Sequence, residues 1–213
     1  MKTNSKNARA VSLHHNFTGY HTAEYLLILS PHEDLWNTIM TIKSDFASKY
    51  DHPMAAYTKP HLTLLKFLQL EVTEDRIVKH LKSICSSQPL IKIELKDFHH
   101  FPSHTIYINV TSKLPILNLV KALKEAQPLL KFDPNFKPFF ITEPHVTIAR
   151  QLVPWQYEKA WNEFSHSSFT GRFIADKMTL LKRRVGNKSY QIVKEFPFHH
   201  LPQIDRQGSL FIQ

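Results

Sequence analysis

Pro144-His145-Val146-Thr147-Ile148-Ala149-Arg150 and Pro60-His61-Leu62-Thr63-Leu64-Leu65-Lys66 are two copies of one pattern. Each runs proline, His-X-Thr, apolar or small residues, then a base. The histidines stand 145 − 61 = 84 residues apart, and the threonines 147 − 63 = 84. Valine, isoleucine, leucine and threonine favour half-buried extended backbone, so each copy predicts a strand. Side chains alternate faces along a strand. His61 and Thr63 therefore share one face, with Leu62 and Leu64 on the other, and the same holds for His145 and Thr147 against Val146 and Ile148. The prolines suit the first residue of a strand, where a missing N–H is tolerated. One His-X-Thr alone is most often a polar outer face, because the pattern is short. A second copy changes that reading only if the surrounding chain repeats as well.

It does repeat. A buried strand over 24–29 leads to a helix with Ser30 as cap, Pro31 in the first turn and Glu33 completing a capping box. Leu35, Ile39, Ile42 and Phe46 give that helix one apolar face. The first motif strand follows, then a helix capped by Thr73 with Ile77, Leu81 and Ile84 inward, then an alternating strand over 90–95. The order then restarts: a strand over 105–110, a helix carrying Ile116, Leu119, Val120 and Leu123, the aromatic, proline-rich loop 132–140, and the second motif strand. A helix opened by Pro154 and a strand over 172–181 complete the second unit. Gly186-Asn187 predicts a hairpin turn into a closing strand, 190–196. The pattern predicts an α+β, internally duplicated, two-lobed fold. Each lobe has an antiparallel-type sheet with two helices, and a pseudo-two-fold relates the lobes across a central groove. The repeats are placed at about 24–100 and 104–183, with the closing strand at 189–197, in one bilobal domain over 20–198. Residues 1–19 read as a mobile tail. Residues 199–213 read as a C-terminal extension, and Phe198, Leu201, Leu210 and Phe211 suggest that the stretch 197–213 packs on the body.

Composition narrows the function classes. The 213 residues carry 27 Lys and Arg against 18 Asp and Glu, a net +9, which favours anionic partners without selecting one. No apolar run approaches the ~18 residues of a membrane span, so no membrane partner is expected. A single cysteine, Cys85, cannot form an intramolecular disulfide and reads as a packed thiol; a reducing, cytoplasmic setting is expected. Four glycines, none spaced as a phosphate or dinucleotide loop, argue against those nucleotide sites.

The paired His-X-Thr strands on a duplicated α+β frame resemble the 2H phosphoesterases, and within them the RNA 2′,3′-cyclic phosphodiesterase, or 2′-5′ RNA ligase, family. The trailing Arg150 is similar to that family's second motif. Leu181-Lys182-Arg183, Gly186, Tyr190 and Phe196-Pro197-Phe198 resemble its closing hairpin. The resemblance spans about 24–198. The loop 132–140 and the run His99-His100-Phe101-Pro102-Ser103-His104 depart from the family pattern, and the terminal segments are extra.

The resemblance implies metal-free opening of a 2′,3′-cyclic phosphate, on an RNA end or a small nucleotide, to a 2′-phosphate; 2′-5′ ligation, the reverse of phosphodiester cleavage, belongs to the same site. No cofactor and no metal are expected. The partner would be an RNA terminus or a small cyclic nucleotide, and the protein a monomer. His61 and His145 are the candidate acid and base, and Thr63 and Thr147 the donors to the phosphate oxygens. The expected order is His145 as base and His61 as acid. Lys66 and Arg150 are candidate substrate-binding residues. Each lies five positions after its histidine, an odd offset that a regular strand would turn away from the groove. Tyr190 is a candidate base-stacking residue. Two rival classes stay open. One is a metal hydrolase, suggested by 14 histidines, although no His-Glu-X-X-His occurs and the adjacent pairs point apart on strands. The other is a non-catalytic RNA or nucleotide binder using the same basic groove.

Overall fold

The computed structural model describes residues 21–102, 104–134 and 136–199. The predicted N-terminal tail, and the extension beyond His199 with Leu201, Leu210 and Phe211, lie outside them.

The most apolar strand is also a central one. In β1 (Thr22–Leu29), Ala23, Tyr25, Leu27 and Leu29 alternate onto one face, each 0% exposed. Helix α1 (Glu33–Lys49) starts after the predicted cap. Its N-cap is His32, in extended conformation and without a side-chain bond, and Glu33 and Asp34 complement the macrodipole in the first turn. Its buried stripe is Leu35, Ile39, Lys43 and Phe46. Ile42, expected in that stripe, only packs at its margin. A short helix α2 (Met54–Tyr57) precedes β2 (Leu62–Leu70). Then come α3 (Glu74–Cys85), β3 (Ile91–Phe101), β4 (Thr105–Val110), α4 (Lys113–Leu123), α5 (Gln127–Leu130), β5 (Phe139–Phe140), β6 (His145–Ala149) and α6 (Pro154–Phe164). Thr73 precedes α3 but donates its hydroxyl backward to the Leu70 carbonyl rather than capping the helix.

The predicted strand over 172–181 is two strands. β7 (Thr170–Ala175) and β8 (Lys177–Arg184) part at Asp176, whose carbonyl accepts the Phe198 N–H at 2.7 Å. β7 pairs with β3, and β8 pairs with β1. Gly186, at φ 95°, makes the turn toward β9 (Gln191–Pro197). Among the described residues the strands form one antiparallel sheet in the order β7-β3-β4-β6-β2-β1-β8-β9, with β5 alongside β2. β2 and β6 are paired at Leu62 and Val146, so two four-stranded halves meet there.

Each half draws on both predicted repeats. The strand that ends the first repeat, β3, lies between β4 and β7, and the strand that ends the second, β8, lies on β1. Helices cross as well: α1 lies against β6 and β7, and α4 against β2. Cys85 is buried, with its thiol on the Phe196 carbonyl, as a packed residue should be. Phe198 is 4% exposed and packs on the body.

Because of this exchange, a fragment ending at residue 103, the whole first repeat, lacks the partners of α1 and β3. It should show no cooperative thermal transition by circular dichroism, whereas the full chain should melt cooperatively.

Candidate active site

The site is built outward from the Leu62–Val146 pair. Both residues are 0% exposed. In an antiparallel register, the neighbours of that pair stand opposite each other on the other face of the sheet. His61 therefore lies across from Thr147, and Thr63 across from His145. Opposite residues have Cβ atoms about 4.5–5.5 Å apart, and diagonal ones about 7–8 Å. The two histidines occupy one diagonal and the two threonines the other. All four are half-buried and share one face of the sheet, the face of the expected groove.

Proline sets the histidine rings. Lys59 and Glu143 each precede a proline, which confines them to extended backbone. Their carbonyls accept from the histidine two residues on: His61 Nδ1 to the Lys59 carbonyl at 2.8 Å, and His145 Nδ1 to the Glu143 carbonyl at 2.7 Å. A carbonyl can only accept, so each neutral ring carries its proton on Nδ1 and leaves Nε2 free to take or give one.

A bulge in each motif strand resolves the odd offset of Lys66 and Arg150. On β2, Thr63 faces Ile28 and Leu65 faces Leu27, leaving Leu64 as the extra residue. On β6, Thr147 faces Tyr107 and Ala149 faces Ile106, leaving Ile148 extra. One extra residue shifts the parity. Lys66 thus joins Thr63 on the groove side, and Arg150 joins Thr147. The freed carbonyls are satisfied differently. Leu64 O accepts the Ile141 N–H at 3.0 Å. Thr147 O and Ile148 O accept from the ammonium of Lys43 at 3.0 and 2.8 Å.

The charges around the two rings differ. Burial pushes the His61 imidazole below its ordinary value against the opposing bond to Lys59, and Lys43, Arg150 and His145 lower it further. Burial also lowers His145, but its bond to the Glu143 carbonyl and the Glu143 carboxylate both pull it back up. Lys43, 1% exposed, is pushed down to about 8 by burial, with Arg150 adding to it.

Lys66 is committed elsewhere, to Glu24 at 2.6 Å. Glu24 also accepts from Arg183 at 2.6 Å and from the Tyr190 hydroxyl. Burial raises the Glu24 carboxyl, and the bonds from Lys66 and Tyr190 outweigh that and hold it below the usual range. Tyr190 carries the Arg183 guanidinium over its ring, 4.7 Å from the centroid. It therefore belongs to this ionic cluster, with one ring face under the guanidinium. The aromatic surface against a motif histidine is Phe101 and Tyr107, stacked at 4.4 Å with each ring centroid 5.0 Å from His145. Lys43, Glu24, Glu143 and Phe101 were not singled out from sequence. Lys43 left a signal, as a charged residue on the apolar stripe of α1. Two surface depressions, by Lys121 and Glu125 and by Arg76 and His80, involve none of the motif residues. Among the described residues no three His, Cys, Asp or Glu side chains converge as a metal-binding group would.

The profile of the 2′-5′ RNA ligase superfamily matches residues 31–187, both motifs included. The chain belongs to the 2′-5′ RNA ligase superfamily of 2H phosphoesterases. No curated protein matches it in sequence. Solved structures show the same fold. TT0787 of Thermus thermophilus is 14% identical with a TM-score of 0.57, over 82% of this chain and 97% of that one. E. coli LigT complexed with 3′-AMP is 18% identical with a TM-score of 0.56, over 83% and 98%. Apo E. coli LigT is 15% identical with a TM-score of 0.55, over the same shares. No described helix is long and apolar enough to cross a membrane. This superfamily member should show, by 15N–1H correlation of the imidazoles, both motif rings as Nδ1–H tautomers when neutral. Both should titrate below the ordinary histidine value of ~6.5.

Proposed function

We propose that the protein is a metal-independent phosphodiesterase that opens a 2′,3′-cyclic phosphate, on an RNA end or a small nucleotide, to a 2′-phosphate. With a ribose 5′-hydroxyl in place of water as the attacking group, the same ring opening would form a 2′-5′ linkage, and its reverse would cleave one. The observation that carries this is the square of His61, Thr147, His145 and Thr63 around the Leu62–Val146 pair. A phosphate seated there meets one free Nε2 on each side and two hydroxyls between.

The chemistry follows from that placement. Water attacks phosphorus in line with the ribose 3′-oxygen; the new P–O bond forms as the P–O3′ bond breaks. One imidazole takes the proton of the water, and the other gives its proton to the departing oxygen. Thr63 and Thr147 donate to the non-bridging oxygens as charge builds. Arg150, on the groove side of β6, has no ion-pair partner among the described residues and acts on His61 and Tyr190 by charge alone, so it is free to hold the anion. Lys66 neutralises Glu24 and binds no phosphate directly. Phe101, beside the His145 ring, offers a nucleobase an aromatic surface. The surroundings support the opposite order of proton transfer to the one expected from sequence. Lys43 and Arg150 disfavour a second positive charge on His61, which suits it as the base. Glu143 favours one on His145, which suits it as the acid.

We also read the fold as the product of an internal duplication, with residues 20–198 acting as one bilobal, monomeric unit. The strand order supports it: β2, β1 and β8 run outward from the centre on one side as β6, β4 and β3 do on the other.

A panel of nucleoside 2′,3′-cyclic phosphates and RNA ends, with product phosphate position read by 31P NMR, tests the activity. His61→Ala and His145→Ala should each lower turnover by ~10²–10⁴, and the double variant should fall well short of the product of the two. Thr63→Ala and Thr147→Ala should cost roughly 1.5–3 kcal/mol of transition-state binding. Wild-type turnover in either histidine variant would remove that residue from the mechanism.

The pH profile should be bell-shaped. The acid limb reflects protonation of the base, and the alkaline limb loss of the acid's proton. Exhaustive EDTA treatment should leave the rate unchanged; loss on chelation with rescue by one metal would favour the metal-hydrolase class.

A further inference from the structure

We propose that Lys43 is a positioning residue: its buried ammonium clamps the β6 bulge that turns Arg150 into the groove, and supplies a fixed positive charge that makes His61 and His145 inequivalent. The inference rests on the two-histidine reading of the groove given above.

The geometry carries it. Lys43 stands on the core stripe of α1, at the place where the spacing from Leu35, Ile39 and Phe46 calls for an apolar side chain. It is 1% exposed, and its ammonium has two carbonyl acceptors, Thr147 O and Ile148 O. These belong to the extra residue of β6 and the one before it, and the parity change there brings Arg150 to the groove side. A buried ammonium held only by carbonyls is costly to keep. The equivalent bulge in β2 does without one, because a backbone N–H from Ile141 closes it. The lysine is therefore not required merely to satisfy a bulge.

Its charge reaches the site. Lys43 acts on His61 and on His52, Arg150 acts on both Lys43 and His61, and His145 acts on His61; on the other ring, the charged group at work is Glu143. A bound phosphate would offset Arg150, which is exposed to the groove. Lys43, buried behind the strand, would keep its effect on His61 with substrate in place. Burial brings Lys43 itself down to about 8, so this fixed charge fades as the pH rises past that value.

The test compares the wild-type chain with Lys43→Met and Lys43→Gln, labelled with 13C-histidine and 15N. Gln keeps a hydrogen-bond donor for the carbonyls but no charge; Met keeps neither. In both variants the titration of His61, followed at its Cε1–H, should move upward by about 0.5–1 pH unit, the scale of one unit charge under partial screening. His145 should move less. The amide signals of Ile148, Ala149 and Arg150 should shift in Lys43→Met and return toward wild type in Lys43→Gln. Where a cyclic-phosphate substrate is cleaved, the acid limb of kcat/KM should rise with His61, a change that loosened packing alone would not produce.

An unchanged His61 titration in a folded Lys43→Gln protein would overturn the proposal. Should neither variant fold, wild-type protein labelled with 15N-lysine decides: a Lys43 Nζ that titrates together with the solvent lysines overturns the proposal, and one that titrates near 8 while perturbing His61 supports it. A wild-type protein that cleaves none of the cyclic phosphates would sink the phosphodiesterase reading, but the His61 comparison would still stand on its own.

Discussion

One backbone pairing, Leu62 to Val146, joins the two halves of the sheet and sets the register of every motif side chain. A slip of one residue there would carry both histidines and both threonines to the core face and bring their apolar neighbours into the groove. The apolar residues oppose such a slip. Leu62, Leu64, Val146 and Ile148 are all 0% exposed, and exposing them would forfeit on the order of 1.5–3 kcal/mol for each side chain. Farther along β2 the neighbour is β5, paired at Leu65 and Lys66, so β2 and β6 part company just beyond the motif.

The bulges then decide what else faces the groove. They are equivalent in position, one residue after each motif threonine, and opposite in chemistry. An unsatisfied buried carbonyl costs about 1–3 kcal/mol, so each bulge needs a donor. At Leu64 the donor is a neutral backbone N–H, and at Ile148 it is an ammonium that is expensive to bury. The backbone frame is close to symmetric while its charges are not. The same inequality appears beside the prolines, where Lys59 in the first motif corresponds to Glu143 in the second. Two imidazoles with identical carbonyl partners thus sit in different fields.

Local pattern made the motif strands and most helices legible in the sequence. Period-two alternation around His61 and His145, and the helical stripes of α3 and α4, matched what packing needs. Long-range placement was not legible. Nothing between 170 and 184 marks Asp176 as the place where the chain leaves one edge of the sheet for the other half, because apolar residues continue on both sides of it with no glycine or proline at the break. The position of β3 between β4 and β7 depends on contacts distant in sequence. The Ser30 cap failed because the helix begins only at Glu33, with His32 still extended before it. The bond of Tyr190 to Glu24 was hidden because the two stand 190 − 24 = 166 positions apart. The odd offset of Lys66 and Arg150 did contain information: a basic residue at the wrong parity in both copies is what a bulge leaves behind.

The charge inequality also bears on the proposed chemistry. Opening a 2′,3′-cyclic phosphate at P–O3′ needs the same proton traffic whether the attacking oxygen belongs to water, which gives a 2′-phosphate, or to a ribose 5′-hydroxyl, which gives a 2′-5′ linkage. One imidazole takes the proton of the nucleophile and the other protonates O3′. Lys43 and Arg150 act against a proton on His61, and Glu143 acts for one on His145. Under the proposed assignment this inequality would serve hydrolysis and ligation alike. It would oppose only their reversal, ring closure by O3′, which would have to start with His61 charged beside two cations. A choice between water and a 5′-hydroxyl would then fall to the surfaces that admit the nucleophile, because the two histidines treat both in the same way.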